Sequence, residues 1–310
     1  LALNHSQTPF ISGGQLSFVS NGNISIDAHV ASGGFSILNL AGDPSNFVSL
    51  YDPIISSTGD VSFGNYTGPA LKVESTGSIS TGTIKVIGPD TTLTPGSDPD
   101  IQILKNSPAV ILQAGLTTLA NSPNVPTNLG GTSFTSINPS SSPASITVNG
   151  TIDTSAGGKN GSGLVRLSAP GNITTDAINT PAYGGGNGGN VILSTTQGKI
   201  LTGNITTAVL GQGNAGNVTL SAPGSITYGG IDARHFGSSG NQGNITVKAG
   251  TENIAAPSLT NPTSYLGSNK IGVTITPTPT PSPTPSPSPS PSPSPSPSPS
   301  PSPTPSPSPS

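Results

Sequence analysis

The side chains able to move protons or hold metal are few in this chain. It carries 9 Lys and Arg, 12 Asp and Glu and 3 His in 310 residues, and charged residues make up 7%, against about 25% in an ordinary globular domain. Only two are glutamates, Glu74 and Glu252. Cleaving a glycan needs two carboxyl groups placed on either side of one bond, so the question is where acids could meet. Asp98 and Asp100 form an Asp-Pro-Asp triplet. Such a pair could serve acid–base work or calcium, but in a proline-rich segment it reads more simply as a turn. Asp232-Ala233-Arg234-His235 offers a base beside a cation, or else an exposed salt-bridged loop at a corner. Asp153, Asp176 and Asp232 come closest to a ladder of acids. In the repeat described below, however, Asn204 takes the place of Asp176, and Asp153 and Asp232 fall three coils apart. His5 and His29 lack companions at metal-ligand spacing. The tract Gly184–Gly189 has neither the Asp of calcium-binding nonapeptides nor the Lys-Ser/Thr of a phosphate loop, and reads as a loop between strands. Cysteine, methionine and tryptophan are absent, which removes disulfides and thiolate metal sites. The expectation is therefore no catalytic, cofactor-binding or metal site, and a protein that is not an enzyme.

The elements that would position these side chains come from a repeat. Gly163 opens GLVRLSAPGNITTDAINTPAYGGGNG, Gly189 opens GNVILSTTQGKILTGNITTAVLGQGNA, Gly216 opens GNVTLSAPGSITYGGIDARHFGSSGNQ, and Gly243 starts a fourth copy that decays; the spacings are 26, 27 and 27 residues. A fixed period in this range marks a stacked repeat architecture. Each copy holds short runs in which apolar and polar residues alternate, such as Val218-Thr219-Leu220, Ile226-Thr227-Tyr228 and Ile231-Asp232-Ala233. Alternation rich in β-branched residues reads as strands with one buried face. Gly, Asn, Ser and Pro between the runs supply the turns. Three short strands and a glycine-rich loop fit one coil of a parallel β-helix. Stacked coils then place Ile173, Ile200 and Ile226 in one line and Val191 over Val218, with strands about 4.8 Å apart. About ten coils, from Leu16 to Ile275 and without a long helix, would form a rod roughly 50 Å long. Ile200 is expected inside, and Thr207 toward solvent or a loop.

The pattern extends upstream less regularly. Ile146–Asp153 matches the second half of the later coils, Leu71–Ile79 resembles Val218–Ile226, and Leu16–Phe18, Ile24–Ile26 and Phe35–Leu38 look like further rungs. Between about Pro89 and Ser145 prolines interrupt it. That stretch reads as coils with long insertions around the run Ala109–Gln113, with an irregular linker as the alternative. Three regions result: irregular coils over 1–145, regular repeats over 146–276, and a tail over 277–310. In the tail Pro alternates with Ser or Thr. Half its amide donors are missing, so it is expected as a polyproline II-like spacer, and its hydroxyls suit O-glycans.

The net charge of −3 is too small to argue for nucleic acid. No apolar run reaches the roughly 18 residues of a membrane helix. With no initiator Met and no signal-peptide pattern, the chain reads as an internal or processed fragment. Asn-x-Ser/Thr triplets at Asn4, Asn23, Asn65, Asn149, Asn160, Asn172, Asn204, Asn217 and Asn244 read mainly as by-products of the repeat. A regular Thr array could match ice, but Ser194-Thr195-Thr196 and Ser225-Ile226-Thr227 break the pattern.

The stretch GDVSFGNYTGPALKVESTGSISTGTIKVIGPD from Gly59 to Asp90, with SDPDIQIL and PAVILQAG after it, resembles the filamentous haemagglutinin-type surface proteins of Gram-negative bacteria. The Gly-Asn-Ile-Thr-Thr segments at Gly171–Thr175 and Gly203–Thr207 are similar to cyanobacterial members. The likeness covers about residues 10–255 and is one of repeat style. It implies a right-handed parallel β-helix, export by the two-partner route through an outer-membrane transporter, and display outside the cell as an adhesin. The family's Asn-Pro-Asn-Gly secretion signature has no match here. The expected function is a cell-surface adhesin or structural stalk, with surface glycans or other cells as partners. A self-associating extracellular fibre subunit is the alternative, and a glycan-active enzyme stands behind both.

Overall fold

Every strand pairing between named strands is parallel, and nearly all join a strand to its counterpart one coil later. The computed structural model describes residues 1–51, 53–94, 98–120, 143–155, 161–250, 254–255 and 274–275. They build one sheet of 17 strands, one of 9 and one of 2, with a single helix, Ile101–Asn106, among the described residues. This is a solenoid of the parallel β-helix kind. The Pro-Ser/Thr tail lies outside the described residues.

Three ladders run along it. On the first, Val30, Ile55, Val73, Leu112, Leu167, Leu193, Leu220 and Val247 face inward in successive coils. The second carries Phe35, Val61, Ile79, Ile146, Ile173, Ile200 and Ile226, and its nine strands sit close to the number of coils expected. The third carries Phe47, Tyr66, Ile84, Ile152, Ile178 and Ile205. Side chains alternate across each strand, so one residue in two enters the core and the next points out. Stacking identical aliphatic groups keeps that core filled from coil to coil. Near the N-terminal end it holds aromatic rings instead, with Phe47 4.9 Å from Tyr66 and 5.1 Å from Phe63 between centroids.

Coil length varies with what hangs outside the core. From Ser56 to Glu74 one turn takes 18 residues, and from Asn190 to Asn217 it takes 27. The longer coils add a glycine-rich fourth corner, where Ala182–Gly184 pairs with Val209–Gly211. This corner is clasped to the rod by threonine. Thr180 and Thr207 each donate Oγ1–H to a glycine carbonyl, Gly189 O and Gly216 O, both at 2.7 Å. The same glycines donate their amides back to the threonine carbonyls, at 2.9 and 3.0 Å. Thr207 is thus fully buried, not turned to solvent as its sequence context suggests: it is the inward residue after Ile205, and a backbone acceptor satisfies its hydroxyl. The repeat-opening glycines are demanded by close approach. A Cβ on Gly216 would lie 2.1 Å from Gly189 O, and one on Gly189 would lie 2.0 Å from Gly163 O.

Asparagine holds the coils together at the turns. The Oδ1 atoms of Asn172, Asn190, Asn204 and Asn217 each accept a backbone amide from the next coil, at 2.7–3.0 Å. This gives the repeated Gly-Asn a structural reason without any glycan.

Candidate functional site

The first ladder's outer face changes character along the rod. Where it carries Lys72 and Glu74, residues 90–94 and 98–107 fold back over it as a roof. Helix Ile101–Asn106 buries Ile101 and Leu104. These join Ile54, Ala70, Leu93, Ala109 and Ile111 in a second apolar cluster outside the solenoid core. The helix has no side-chain N-cap bond. Its place is fixed by packing and by charge.

The charge comes from residues that are remote in sequence. Lys72 Nζ lies 2.7 and 2.8 Å from the two carboxylate oxygens of Asp98, 3.1 Å from Asp100 and 3.5 Å from Glu74. Asp100 also accepts from Arg166, two rungs beyond Lys72. Glu74 accepts from Ser56 Oγ at 2.7 Å and from the Ala120 amide at 3.0 Å. Lys72, Glu74 and Asp98 are buried with side chains 1% exposed. Burial works against the Lys72 charge, but the hydrogen bond to Asp98 and the surrounding carboxylates outweigh it and raise its pKa. The turn reading of Asp-Pro-Asp holds, since Asp98 Oδ1 accepts the Asp100 amide at 2.9 Å. Charges were expected to converge only from equivalent places in adjacent repeats; an insertion brings them together instead. The sequence names Glu74 only as one of two glutamates and draws attention to neither Lys72 nor Arg166. Their signal was an ionic residue on the outward beat of a strand flanked by insertions.

A cavity of about 580 Å³ opens beside the cluster, lined by Lys72, Glu74, Asp100, Gln113, Arg166 and Ser168 among others. The carboxylates do not flank it as a general acid and base flank a glycosidic bond. They converge on one ammonium.

The other candidates stay apart. Asp232 and Arg234 form a pair at 2.7 Å with both side chains 25% exposed, and Arg234 covers the Phe236 ring at 4.5 Å. His235 instead meets Gly211 O. Asp153 and Asp232 are linked through Asn179 and Thr206, three coils apart. Gly203, not Asn204, stands opposite Asp176, because Thr175 pairs with Thr202 and Ile178 with Ile205. His29 is partly buried one residue before Val30, and burial lowers its pKa. No group of three or more metal-ligating side chains occurs among the described residues. Glu252 and Asn160 lie outside them. No described helix is long and apolar enough to cross a membrane.

No protein-family model, curated protein or solved structure matches this chain.

Proposed function

We propose that the chain is the rod of an extracellular surface protein, acting by display as an adhesin or structural stalk. The observation that carries this reading is the outer face of the regular coils. Ser168, Ser194 and Ser221 stand in one register, and Ile192, Thr219 and Thr246 in another, all partly exposed. A long, mainly polar outer face with a serine register can meet extended ligands such as surface glycans without a fixed motif, since function sits in sites grafted on a fold. The saturated ion cluster supports display over catalysis. The resemblance to filamentous haemagglutinin-type proteins adds export through an outer-membrane transporter. On this reading the solenoid winds right-handed, as parallel crossovers almost always do. The tail is a polyproline II spacer whose hydroxyls take O-glycans.

The test is binding of the purified chain to an array of neutral and acidic oligosaccharides and to whole cells, with polysaccharide turnover assayed in parallel. Saturable binding without turnover is expected. Turnover of any polysaccharide, lost in Glu74→Gln, would overturn the reading. Concentration-dependent growth into fibres without glycan binding would favour the fibre subunit.

A further inference from the structure

Lys72 and Asp98 stand as reactants. A primary amine touches both oxygens of a carboxylate, at 2.7 and 2.8 Å, and both side chains are 1% exposed. The lysine stem lies between Ile54 and Ile111 on the neighbouring rungs. A third buried group, the Glu74 carboxylate, lies 3.5 Å from the same nitrogen. We propose that the folded chain condenses Lys72 with Asp98 into an intramolecular isopeptide bond, with Glu74 relaying the proton.

The step balances without any other reagent. An ammonium and a carboxylate become an amide and one water. Glu74 takes a proton from Nζ, and the freed lone pair attacks Cγ of the Asp98 carboxyl group, which turns to present its face. A C–N bond forms and a C–O bond breaks. The leaving oxygen departs as water with two protons, both taken from Nζ and passed on by Glu74, while the third Nζ hydrogen stays on the amide. Two features favour it. Fixed proximity replaces an encounter, and the product removes two charges from a water-poor site where holding them apart from solvent is costly. One feature slows it: the carboxylates around Lys72 favour the ammonium. The bond is therefore a maturation event after folding. It would tie the roof to the rod across 26 residues of chain.

The test is the intact mass of the full chain after denaturation, followed over time, with tandem mass spectrometry of the joined peptides. A species lighter by one water is expected, with a branched peptide joining Lys72 to Asp98. Ordinary aspartyl cyclisation also loses water, but it needs a following amide N–H, which Pro99 lacks. Lys72→Arg separates the two routes, because cyclisation elsewhere survives it and the isopeptide does not. Asp98→Ala should keep the full mass, and Asp100→Ala should still lose water. Asp98→Asn should lose ammonia in place of water. Glu74→Gln should slow the reaction on the order of 100-fold. An unchanged mass after prolonged incubation of the wild-type chain overturns the proposal, whatever the variants do. So does a branch that ends on Asp100.

Discussion

From Val165 to Ala249 the first ladder's outer side chains are partly or fully exposed, whereas around Lys72 and Glu74 the same ladder is roofed and its outer side chains are buried. The inner walls of the two regions are alike. What differs is how polar groups are satisfied. Regular coils use Asn side chains on the next coil's amides and Thr hydroxyls on glycine carbonyls. Such bonds are local to neighbouring coils, so they can repeat indefinitely. The roofed coils place ions under an apolar cover, where each charge must find a partner. A repeat unit can be copied; an insertion has to be matched to one site.

The largest effect should come from breaking the inner wall the two regions share. Ile200→Asp removes a buried side chain between Ile173 and Ile226 and buries a carboxylate. The loss should be about 5 kcal/mol or more, packing and desolvation together. Thr207→Asp should be nearly as severe, since it places the charge where the hydroxyl meets Gly216 O. Thr206→Asp, one residue away and partly exposed, should be mild. Thermal unfolding of the three variants checks the order, and a mild Thr207→Asp would show that this corner is open.

The next effect separates the regions. Measured before any condensation, Lys72→Ala leaves Glu74, Asp98 and Asp100 around an empty centre and should cost about 3–5 kcal/mol, as removal of one partner from a buried ion pair does. Added salt should change the wild-type stability little at this site. Arg234→Ala breaks the corner pair with Asp232, and there about 1 kcal/mol or less is expected. Denaturant unfolding in low and high salt measures both. Equal losses would mean that the roof does not seal the cluster from water.

The same contrast explains what could be read from the sequence. Ile173, Ile200 and Ile226 were legible as one stack because alternation and a fixed period both point inward. The rung at Val110–Gln113 was legible for the same reason, though prolines surround it. Thr207 was misread because Thr is ambiguous in an alternation pattern, and only the glycine opposite shows that its hydroxyl has a buried acceptor. The cluster was invisible for a different cause. Lys72 and Glu74 look like ordinary outward residues of a strand, and Asp98 looks like a turn. Their meeting depends on where residues 98–107 pack, which no repeat predicts.

The smallest effect tests how far the cluster's influence reaches. His29 lies on the first ladder's strand Ile24–Ser32, and its Nε2 is buried without a hydrogen-bond partner. Burial lowers its pKa from 6.5; Glu74 and Asp98 pull it upward and Lys72 pushes it down, and burial prevails. The folded state therefore holds the ring neutral while the unfolded chain takes up a proton below about pH 6.5. Stability linked to His29 is complete above that pH and declines as pH falls through it, by at most about 1.4 kcal/mol per pH unit. Melting temperatures between pH 7.5 and 5.5 should fall more steeply for the wild type than for His29→Gln. This window lies above the ordinary carboxylate range. Asp98→Ala removes one of the carboxylates that raise the His29 pKa, so it should steepen the remaining slope. An unchanged slope in His29→Gln would mean that water reaches the ring, and that the roofed region ends nearer Lys72 than its burial suggests.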